Sequence, residues 1–197
     1  NCYLLRSEAE IAIIDPGGDP EHIIEEIEKL KGTEKEEENS PASKVKFVIA
    51  THCHIDHVEA VNEIVETLGC EFLRHEEEKT WPQNLSQEII EPDRLLQEGD
   101  ILNLGRDNLK IWETPGHSEG SITILDEDGK NIFSGDLIFA GGYGRIDLPG
   151  GSIDKLKESI RRLSKLEGEW TIYPGHGPVT TLDQEMKRSP FLSGKYS

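Results

Sequence analysis

The sequence THCHIDH, residues 51–57, places three histidines and an aspartate directly after the apolar run VKFVIA. Such a run predicts a buried strand, and polar residues at the carboxyl end of a buried strand are well placed for chemistry. His52 and His54 point to the same side of an extended segment, and Asp56 and His57 begin the next helix. Imidazole and carboxylate are common ligands of divalent metals, and packing them together without a cation would be costly. The motif therefore predicts a metal site.

Three later segments add candidate ligands. His117 lies in the Gly-rich turn of WETPGHSEGS, Asp136 follows the apolar strand of NIFSGDLIF, and His176 lies at the strand-to-turn junction of TIYPGHGP. Each segment alone is weak, but together with THCHIDH they place seven potential ligands at strand ends. Seven ligands fit two metal ions better than one, and each ion would keep the open position that is typical of catalytic sites.

We expect the two ions to divide these ligands between them. The first ion would bind His52, His54 and His117, and the second would bind Asp56, His57 and His176, with Asp136 bridging both. Two ions about 3.5–4 Å apart can share a hydroxide at neutral pH and can polarise a carbonyl or phosphoryl oxygen. The sequence thus predicts a site that generates a nucleophile.

The order of predicted elements indicates an α/β protein. NCYLL and EIAIID predict a strand pair, residues 20–31 predict an amphipathic helix, and a second helix is expected from His57 to Leu68, ended by Gly69. Strands cluster between residues 99 and 139, whereas residues 77–97 are ambiguous. A helix at about 152–166, the strand EWTIYP and a helix near 181–189 follow. This order fits two packed sheets with helices outside, in one domain spanning residues 1–197.

Composition excludes some partners. The net charge is −18, with 39 acidic and 21 basic residues, which argues against binding to nucleic acid. The acidic runs EKEEEN (34–39) and HEEEK (75–79) are interpreted as solvent-exposed surface. His22 and His75 lie in charged stretches that read as helical and are interpreted as incidental to the metal site.

The sequence also predicts the compartment. It contains no apolar run long enough to cross a membrane and does not open on a signal peptide. Cys2, Cys53 and Cys70 form no close-spaced pair, which is typical of reduced thiols in a cytoplasmic protein. Cys53 lies inside the histidine motif, but we interpret it as filler rather than as a nucleophile. A small-molecule substrate is expected, without a membrane partner.

In their order and spacing, THCHIDH, TPGHSEGS, FSGD and YPGHGP resemble the metallo-β-lactamase superfamily over nearly the whole chain. The resemblance implies an αββα four-layer sandwich with the metals at one edge between the sheets. It assigns all seven ligands named above to the metals. Family members usually have another strand before the equivalent of NCYLL, so a segment is expected before Asn1.

Within the superfamily, GDLIFAGGYGR (135–145) and the following DLPGG are similar to the glyoxalase II, or hydroxyacylglutathione hydrolase, branch, in its small single-domain form. The likeness implies that Arg145 contacts an anionic or peptide-like part of a thioester substrate and that Tyr143 lines the cleft. The helical glutathione-binding domain of full-length glyoxalase II is not expected after His176. Aspartate at position 136, where true β-lactamases have cysteine, argues against that activity.

These observations predict a metal-dependent hydrolase that cleaves a thioester, such as an S-acyl thiol conjugate, by a metal-bridged hydroxide. Asp136 and Asp56 are the predicted catalytic carboxylates, with Asp56 tuning the second ion and moving a proton. Two divalent ions are the predicted cofactors. Zinc is the expected metal, and iron and manganese are compatible with the same ligands.

Three other hypotheses remain open at this point. A persulfide dioxygenase would use one iron at His52, His117 and Asp136, and the pattern Gly144-Arg145-Ile146-Asp147 matches the GR-x-D pattern of those enzymes. A regulatory protein that has lost catalysis is disfavoured, because such proteins usually lose ligands. Phosphodiester hydrolysis is compatible with two metals, although the acidic surface argues against a large nucleic-acid substrate.

Overall fold

The computed structural model describes residues 1–32, 43–78 and 88–188. In this part of the chain the strands are β1 (Tyr3–Ser7), β2 (Glu10–Ile14), β3 (Lys44–Ile49), β4 (Glu71–His75), β5 (Arg94–Leu96), β6 (Ile101–Leu104), β7 (Asp107–Glu113), β8 (Ile122–Asp126), β9 (Asn131–Gly135), β10 (Thr171–Pro174) and β11 (Thr180–Thr181). The helices are α1 (Pro20–Gly32), α2 (Ile55–Val58), α3 (Val61–Leu68), α4 (Ile153–Leu163) and α5 (Leu182–Arg188).

The strands form two sheets. The first has the order β1-β2-β3-β4-β5, and its strands β2 to β5 are parallel. The second has the order β11-β10-β9-β8-β7-β6 and is antiparallel except for the pair β9 and β10. Because parallel strands end at the same edge of a sheet, the residues that follow β2 and β3 are neighbours, as are those that follow β7, β9 and β10.

Three apolar clusters hold the layers together. The middle cluster joins the inner faces of the two sheets, for example Ile49 of β3 with Ile111 of β7. One outer cluster packs α1 and α3 on the first sheet, and the other packs α4 and α5 on the second. Helices therefore cover both outer faces of the paired sheets. The predicted αββα sandwich is confirmed.

Local signals account for the helices that flank the site. Gly69 ends α3 in the left-handed conformation, with φ of 61°, which a glycine adopts without strain. The hydroxyl of Ser152 accepts a hydrogen bond from the backbone N–H of Lys155 and caps the start of α4. Leu156, Ile160 and Leu163 then form the buried stripe of α4, as expected from their helical spacing.

The element predictions are largely confirmed, with two differences. The helix expected from His57 to Leu68 is divided into α2 and α3, and the backbone N–H of Ala60 bonds the carbonyl of Pro16 at the break. Strands β4, β5 and β11 are not predicted from the sequence. β5 and β11 have only three and two residues, and they depend on their neighbours for pairing. The run EKEEEN lies outside the described residues.

No helix in the described ranges combines the length and apolar character required to span a membrane.

Candidate metal centre

The predicted ligands meet at one edge of the sandwich, where strands of both sheets end. His52 and His54 follow β3 of the first sheet. His117, Asp136 and His176 follow β7, β9 and β10 of the second. Asp56 and His57 are provided by the short helix α2. Residues separated by up to 124 positions in the sequence thus converge on one site.

The ligand atoms form three overlapping groups, in each of which the atoms lie within 4.8 Å of one another. The groups are His52, His54 and His117; His52, His57 and Asp136; and Asp56, His57 and His176. The first and third groups are the two ligand sets that the sequence predicts, and the second group contains Asp136 between them.

The Asp136 carboxylate contacts histidines of both sets. Its Oδ1 lies 3.4 Å from His57 Nε2, and its Oδ2 lies 3.5 Å from His117 Nε2 and 3.6 Å from His176 Nε2. One carboxylate oxygen therefore faces His57, while the other faces His117 and His176. This is the placement required of a carboxylate that bridges two cations.

Hydrogen bonds to Nδ1 leave Nε2 of three histidines facing the site. His117 Nδ1 donates to the carbonyl of Arg145 at 2.7 Å, and His57 Nδ1 donates to Asp15 Oδ2 at 2.9 Å. His52 Nδ1 lies 3.1 Å from Thr51 Oγ1, whose own proton is donated to Asp15. Partners of this kind fix the tautomer of a metal-binding histidine and leave the other nitrogen as the ligand.

Two buried polar atoms at the centre of the site support a cation there. Among the described residues, His52 Nε2 and Asp136 Oδ1 are two of four buried side-chain atoms without a hydrogen-bond partner, and the other two are His54 Nε2 and Arg74 Nε. Buried polar atoms are normally satisfied, so atoms of ligand type without a partner indicate that a metal ion is their partner. The donor set, made only of imidazole and carboxylate, is suited to divalent zinc, iron or manganese.

Asp15 is a functional residue that the sequence interpretation missed. It is 2% exposed, and it accepts hydrogen bonds from the backbone N–H of Thr51 (2.7 Å), Thr51 Oγ1 (2.7 Å) and His57 Nδ1 (2.9 Å). The signal was present in EIAIID: Asp15 is a carboxylate directly after a buried strand, as Asp136 is after β9. It couples the end of β2 to the histidine motif.

The pKa values separate the two ligand sets. In the first set, burial lowers the pKa of His52 well below its ordinary value, and the neighbouring histidines lower it further. Burial also lowers the pKa of His54 and brings that of His117 to about 4. These three imidazoles are neutral at pH 7 and can bind a cation without releasing a proton.

His57 of the second set and the shared Asp136 hold protons more strongly. Burial opposes protonation of His57, but Asp15, Asp136 and Asp56 outweigh it and raise the pKa of His57 above its ordinary value. Burial raises the pKa of Asp136 to about 6, against the attraction of His57 and His176. A cation bound at these ligands therefore competes with protons at a higher pH than a cation bound at His52, His54 and His117.

We predict that acid releases the two ions one after the other. As the pH falls towards about 6, protons displace the ion held by Asp56, His57 and His176 first, because the pKa of Asp136 is about 6 and that of His57 lies above its ordinary value, whereas the pKa values of His52, His54 and His117 are lowered. Dialysis at a series of pH values, followed by elemental analysis, should give two ions per chain, then one. Simultaneous loss of both ions would contradict this order.

The loop after β9 carries the two predicted substrate-binding residues. Arg145 is exposed, and its Nε and an Nη donate to the carboxylate of Asp147 at 2.8 and 2.7 Å. Tyr143 is 37% exposed. Gly144 lies against the site so closely that a Cβ would be 2.1 Å from the carbonyl oxygen of Asp136 and 2.8 Å from His117 Nδ1. The loop can therefore present Arg145 beside the ligands only with glycine at position 144.

The interpretation of HEEEK as solvent-exposed surface is wrong at two positions. His75 is the last residue of β4, not part of a helix, and is 3% exposed, with Nε2 3.1 Å from Glu113 Oε1. Glu78 is 2% exposed. His22, in contrast, is exposed on α1. Cys53 is 1% exposed, and burial raises the pKa of its thiol, which supports its interpretation as filler.

Comparison with protein families places this geometry in a known group. The family model described as Metallo-beta-lactamase superfamily matches residues 1–176. The chain is 36% identical to the hydroxyacylglutathione hydrolase GloC of Haemophilus influenzae, and the match covers 99% of this chain and 93% of that protein. It is 35% identical to the probable metallo-hydrolase YqgX of Bacillus subtilis, over 98% of this chain and 92% of that protein.

Solved structures give the same result. The BLEG-1 B3 metallo-beta-lactamase superposes with a TM-score of 0.85 and 31% identity, over 98% of this chain and 94% of that one. TTHA1623 in a di-iron-bound form superposes with a TM-score of 0.78 and 32% identity, over the same shares. ETHE1 from Myxococcus xanthus has a TM-score of 0.75 and 26% identity, over 98% of this chain and 79% of that one.

Proposed function

Since the chain belongs to the metallo-β-lactamase superfamily, we propose that this metallo-hydrolase cleaves the thioester bond of a small S-acyl thiol conjugate. The observation that carries the proposal is the position of Asp136, whose two oxygens face histidines of two separate ligand sets. Such a carboxylate is suited to holding two divalent ions side by side. The 36% identity to the hydroxyacylglutathione hydrolase GloC supports a thioester as the substrate class.

The chain's residues divide the work at the site. His52, His54 and His117 would hold one ion and Asp56, His57 and His176 the other. When bound, two such ions lower the pKa of water and polarise a carbonyl oxygen. Asp15, Thr51 and the carbonyl of Arg145 keep the histidine rings oriented through their Nδ1 atoms.

Asp56 has the position of a proton carrier. Its side chain is 54% exposed, and its Oδ2 lies 3.1 Å from His176 Nε2, so it connects the site to solvent. We assign to the Asp56 carboxylate the transfer of the proton that hydrolysis releases. The leaving thiolate is stable near neutral pH and requires little proton assistance, so no buried acid is needed beside the sulfur.

The substrate and the metal are tested together. Protein purified without chelators should contain two ions per chain, with zinc expected, and should hydrolyse S-D-lactoylglutathione. Fully metallated protein without thioesterase or esterase activity would refute the proposal. A β-lactam belongs in the same panel because of the similarity to BLEG-1, and Asp136 predicts that it is not turned over.

A persulfide dioxygenase is the second candidate, and the Arg145–Asp147 pair favours it. The pair is the structural counterpart of the GR-x-D pattern, with both hydrogen bonds formed. His52, His117 and Asp136 would hold a single iron, and a similar protein of 32% identity has been crystallised with two irons. Oxygen consumption with glutathione persulfide by iron-loaded protein, without thioester hydrolysis, would establish this alternative.

We predict that Arg145→Gln weakens substrate binding without removing the metals. The exposed guanidinium donates to Asp147 through Nε and one Nη, and its other Nη can bind a carboxylate of the substrate. Losing such a charged contact is expected to raise KM about tenfold with little change in kcat. Arg106→Gln is the matched control, since Arg106 is also an exposed arginine beside an aspartate but lies at the opposite end of β7 from His117. A KM that is equal in both variants would remove Arg145 from the substrate site.

A further inference from the structure

A buried glutamate outside the metal ligand groups joins two of the loops that carry them. The Oε2 of Glu78 accepts a hydrogen bond from the backbone N–H of Cys53 at 2.8 Å. Its Oε1 accepts from the backbone N–H of Gly120 at 3.0 Å and from the hydroxyl of Ser118. Glu78 is 2% exposed, so these three donors replace the hydrogen bonds that water would otherwise make to its carboxylate.

The three donors belong to the loops that place His54 and His117. Cys53 lies between the first two histidines of the motif, and Ser118 directly follows His117. His54 Nδ1 and His117 Nε2 lie 2.8 Å apart. The Glu78 carboxylate, which bonds both Cys53 and Ser118, therefore helps to fix the distance between His54 Nδ1 and His117 Nε2, which follow different sheets.

A close backbone approach supports the same connection. A Cβ at Gly120 would lie 2.7 Å from the backbone nitrogen of Glu78 and 2.7 Å from His75 Nδ1. The His117 loop is thus packed directly on the turn that contains Glu78. Neither the loop nor the turn can shift independently of the other, because close-packed protein interiors have little free space to absorb a displacement.

Only a carboxylate satisfies these donors. Both oxygens of Glu78 must accept, one from Cys53 and the other from Gly120 and Ser118. In one orientation the NH₂ group of a glutamine would face the N–H of Cys53, and in the other it would face the N–H of Gly120. Two donors would therefore oppose each other in either orientation. The isosteric Glu78→Gln change is therefore a specific probe of the hydrogen bonds that join Cys53 to Ser118 and Gly120 through Glu78.

We propose that Glu78 is a positioning residue that sets the geometry, and hence the metal affinity, of the ligand set His52, His54 and His117. The proposal rests on the metal-binding part of the proposed function and not on its substrate. Substituting a group that orients metal ligands typically weakens metal binding about 10- to 100-fold, and we expect an effect of this size for one of the two ions.

The experiment compares wild type, Glu78→Gln and the matched control Glu77→Gln, in which a neighbouring exposed glutamate is changed. Each metal-free protein is titrated with Co²⁺, recording the absorption spectrum, and with Zn²⁺ in competition with a chromophoric chelator. We expect Glu78→Gln to bind one ion as tightly as wild type and the other about 10- to 100-fold more weakly, with altered Co²⁺ bands. Glu77→Gln should match wild type in both titrations.

Activity adds a second readout. At saturating metal, Glu78→Gln should show a lower kcat with KM unchanged, since the substrate contacts are not altered. Ser118→Ala removes one of the three donors and keeps the Glu78 charge, so it should give a smaller loss at the same ion and serves if Glu78→Gln does not fold. Wild-type affinities and spectra in both variants would overturn the inference, whereas wild-type protein that binds no metal would overturn the proposed function itself.

Discussion

An Asp136→Asn variant is expected to bind at most one ion per chain and to hydrolyse the thioester on the order of 10³-fold more slowly than wild type. Between them the two carboxylate oxygens of Asp136 face histidines of both ligand sets, Oδ1 towards His57 and Oδ2 towards His117 and His176. Asparagine keeps the shape but replaces one oxygen by an NH₂ group, which cannot bind a cation. Whichever way the amide is oriented, one of the two oxygen contacts is lost, either the one towards His57 or the one towards His117 and His176.

Metal content by elemental analysis and kcat at saturating metal test this prediction. The variant should remain folded, because burial raises the pKa of Asp136 to about 6 and a neutral amide avoids the cost of an ionised carboxylate at pH 8. Urea unfolding of the metal-free proteins should therefore show no loss of stability. Asp128→Asn, an exposed change at the opposite end of β9, is the control. Two bound ions and wild-type kcat in Asp136→Asn would contradict the bridging position.

The fold follows from sequence wherever a segment carries its own pattern. The parallel core strand β3 is mostly apolar and ends in the run Phe47–Ile49, and α4 has an apolar stripe at helical spacing, so both are predicted. β5 and β11 have no such pattern. They exist because Arg94–Leu96 pairs with β4 and because Thr180–Thr181 pairs with β10, and pairing partners distant in sequence are not visible in a short window.

The candidate site also contains residues that the sequence pattern reveals and residues whose role depends on partners distant in the sequence. The seven ligands are recognisable because histidines and aspartates at strand ends are conspicuous in the sequence. The groups that orient them are not, since Asp15 bonds His57 from 42 positions away and Glu78 bonds Ser118 from 40. The acidic run HEEEK has the composition of exposed surface, and only the tertiary packing separates the buried Glu78 from the exposed Glu77.

Asp15→Asn is expected to weaken the second metal site through the tautomer of His57. Asp15 Oδ2 accepts both Thr51 Oγ1 and His57 Nδ1, so an amide NH₂ at that position would favour His57 with Nδ1 as acceptor and the proton on Nε2. Nε2 is the atom that faces Asp136 and His176. The ion held by Asp56, His57 and His176 should bind about 10- to 100-fold more weakly, while the other ion is retained.

The opposite amide orientation gives a different and measurable loss. It would set NH₂ against the backbone N–H of Thr51, which Asp15 Oδ1 accepts at 2.7 Å, and would leave a buried donor unsatisfied at a cost of about 1–3 kcal/mol. Urea unfolding of metal-free protein should therefore show a loss of that order. Asp19→Asn is the control, because Asp19 has nearly the same backbone, with φ of 50° against 53° for Asp15, but is exposed. Since both backbones tolerate asparagine, any difference between the two variants reports the buried contacts. Equal metal affinity and stability in the two variants would show that Asp15 does not orient His57.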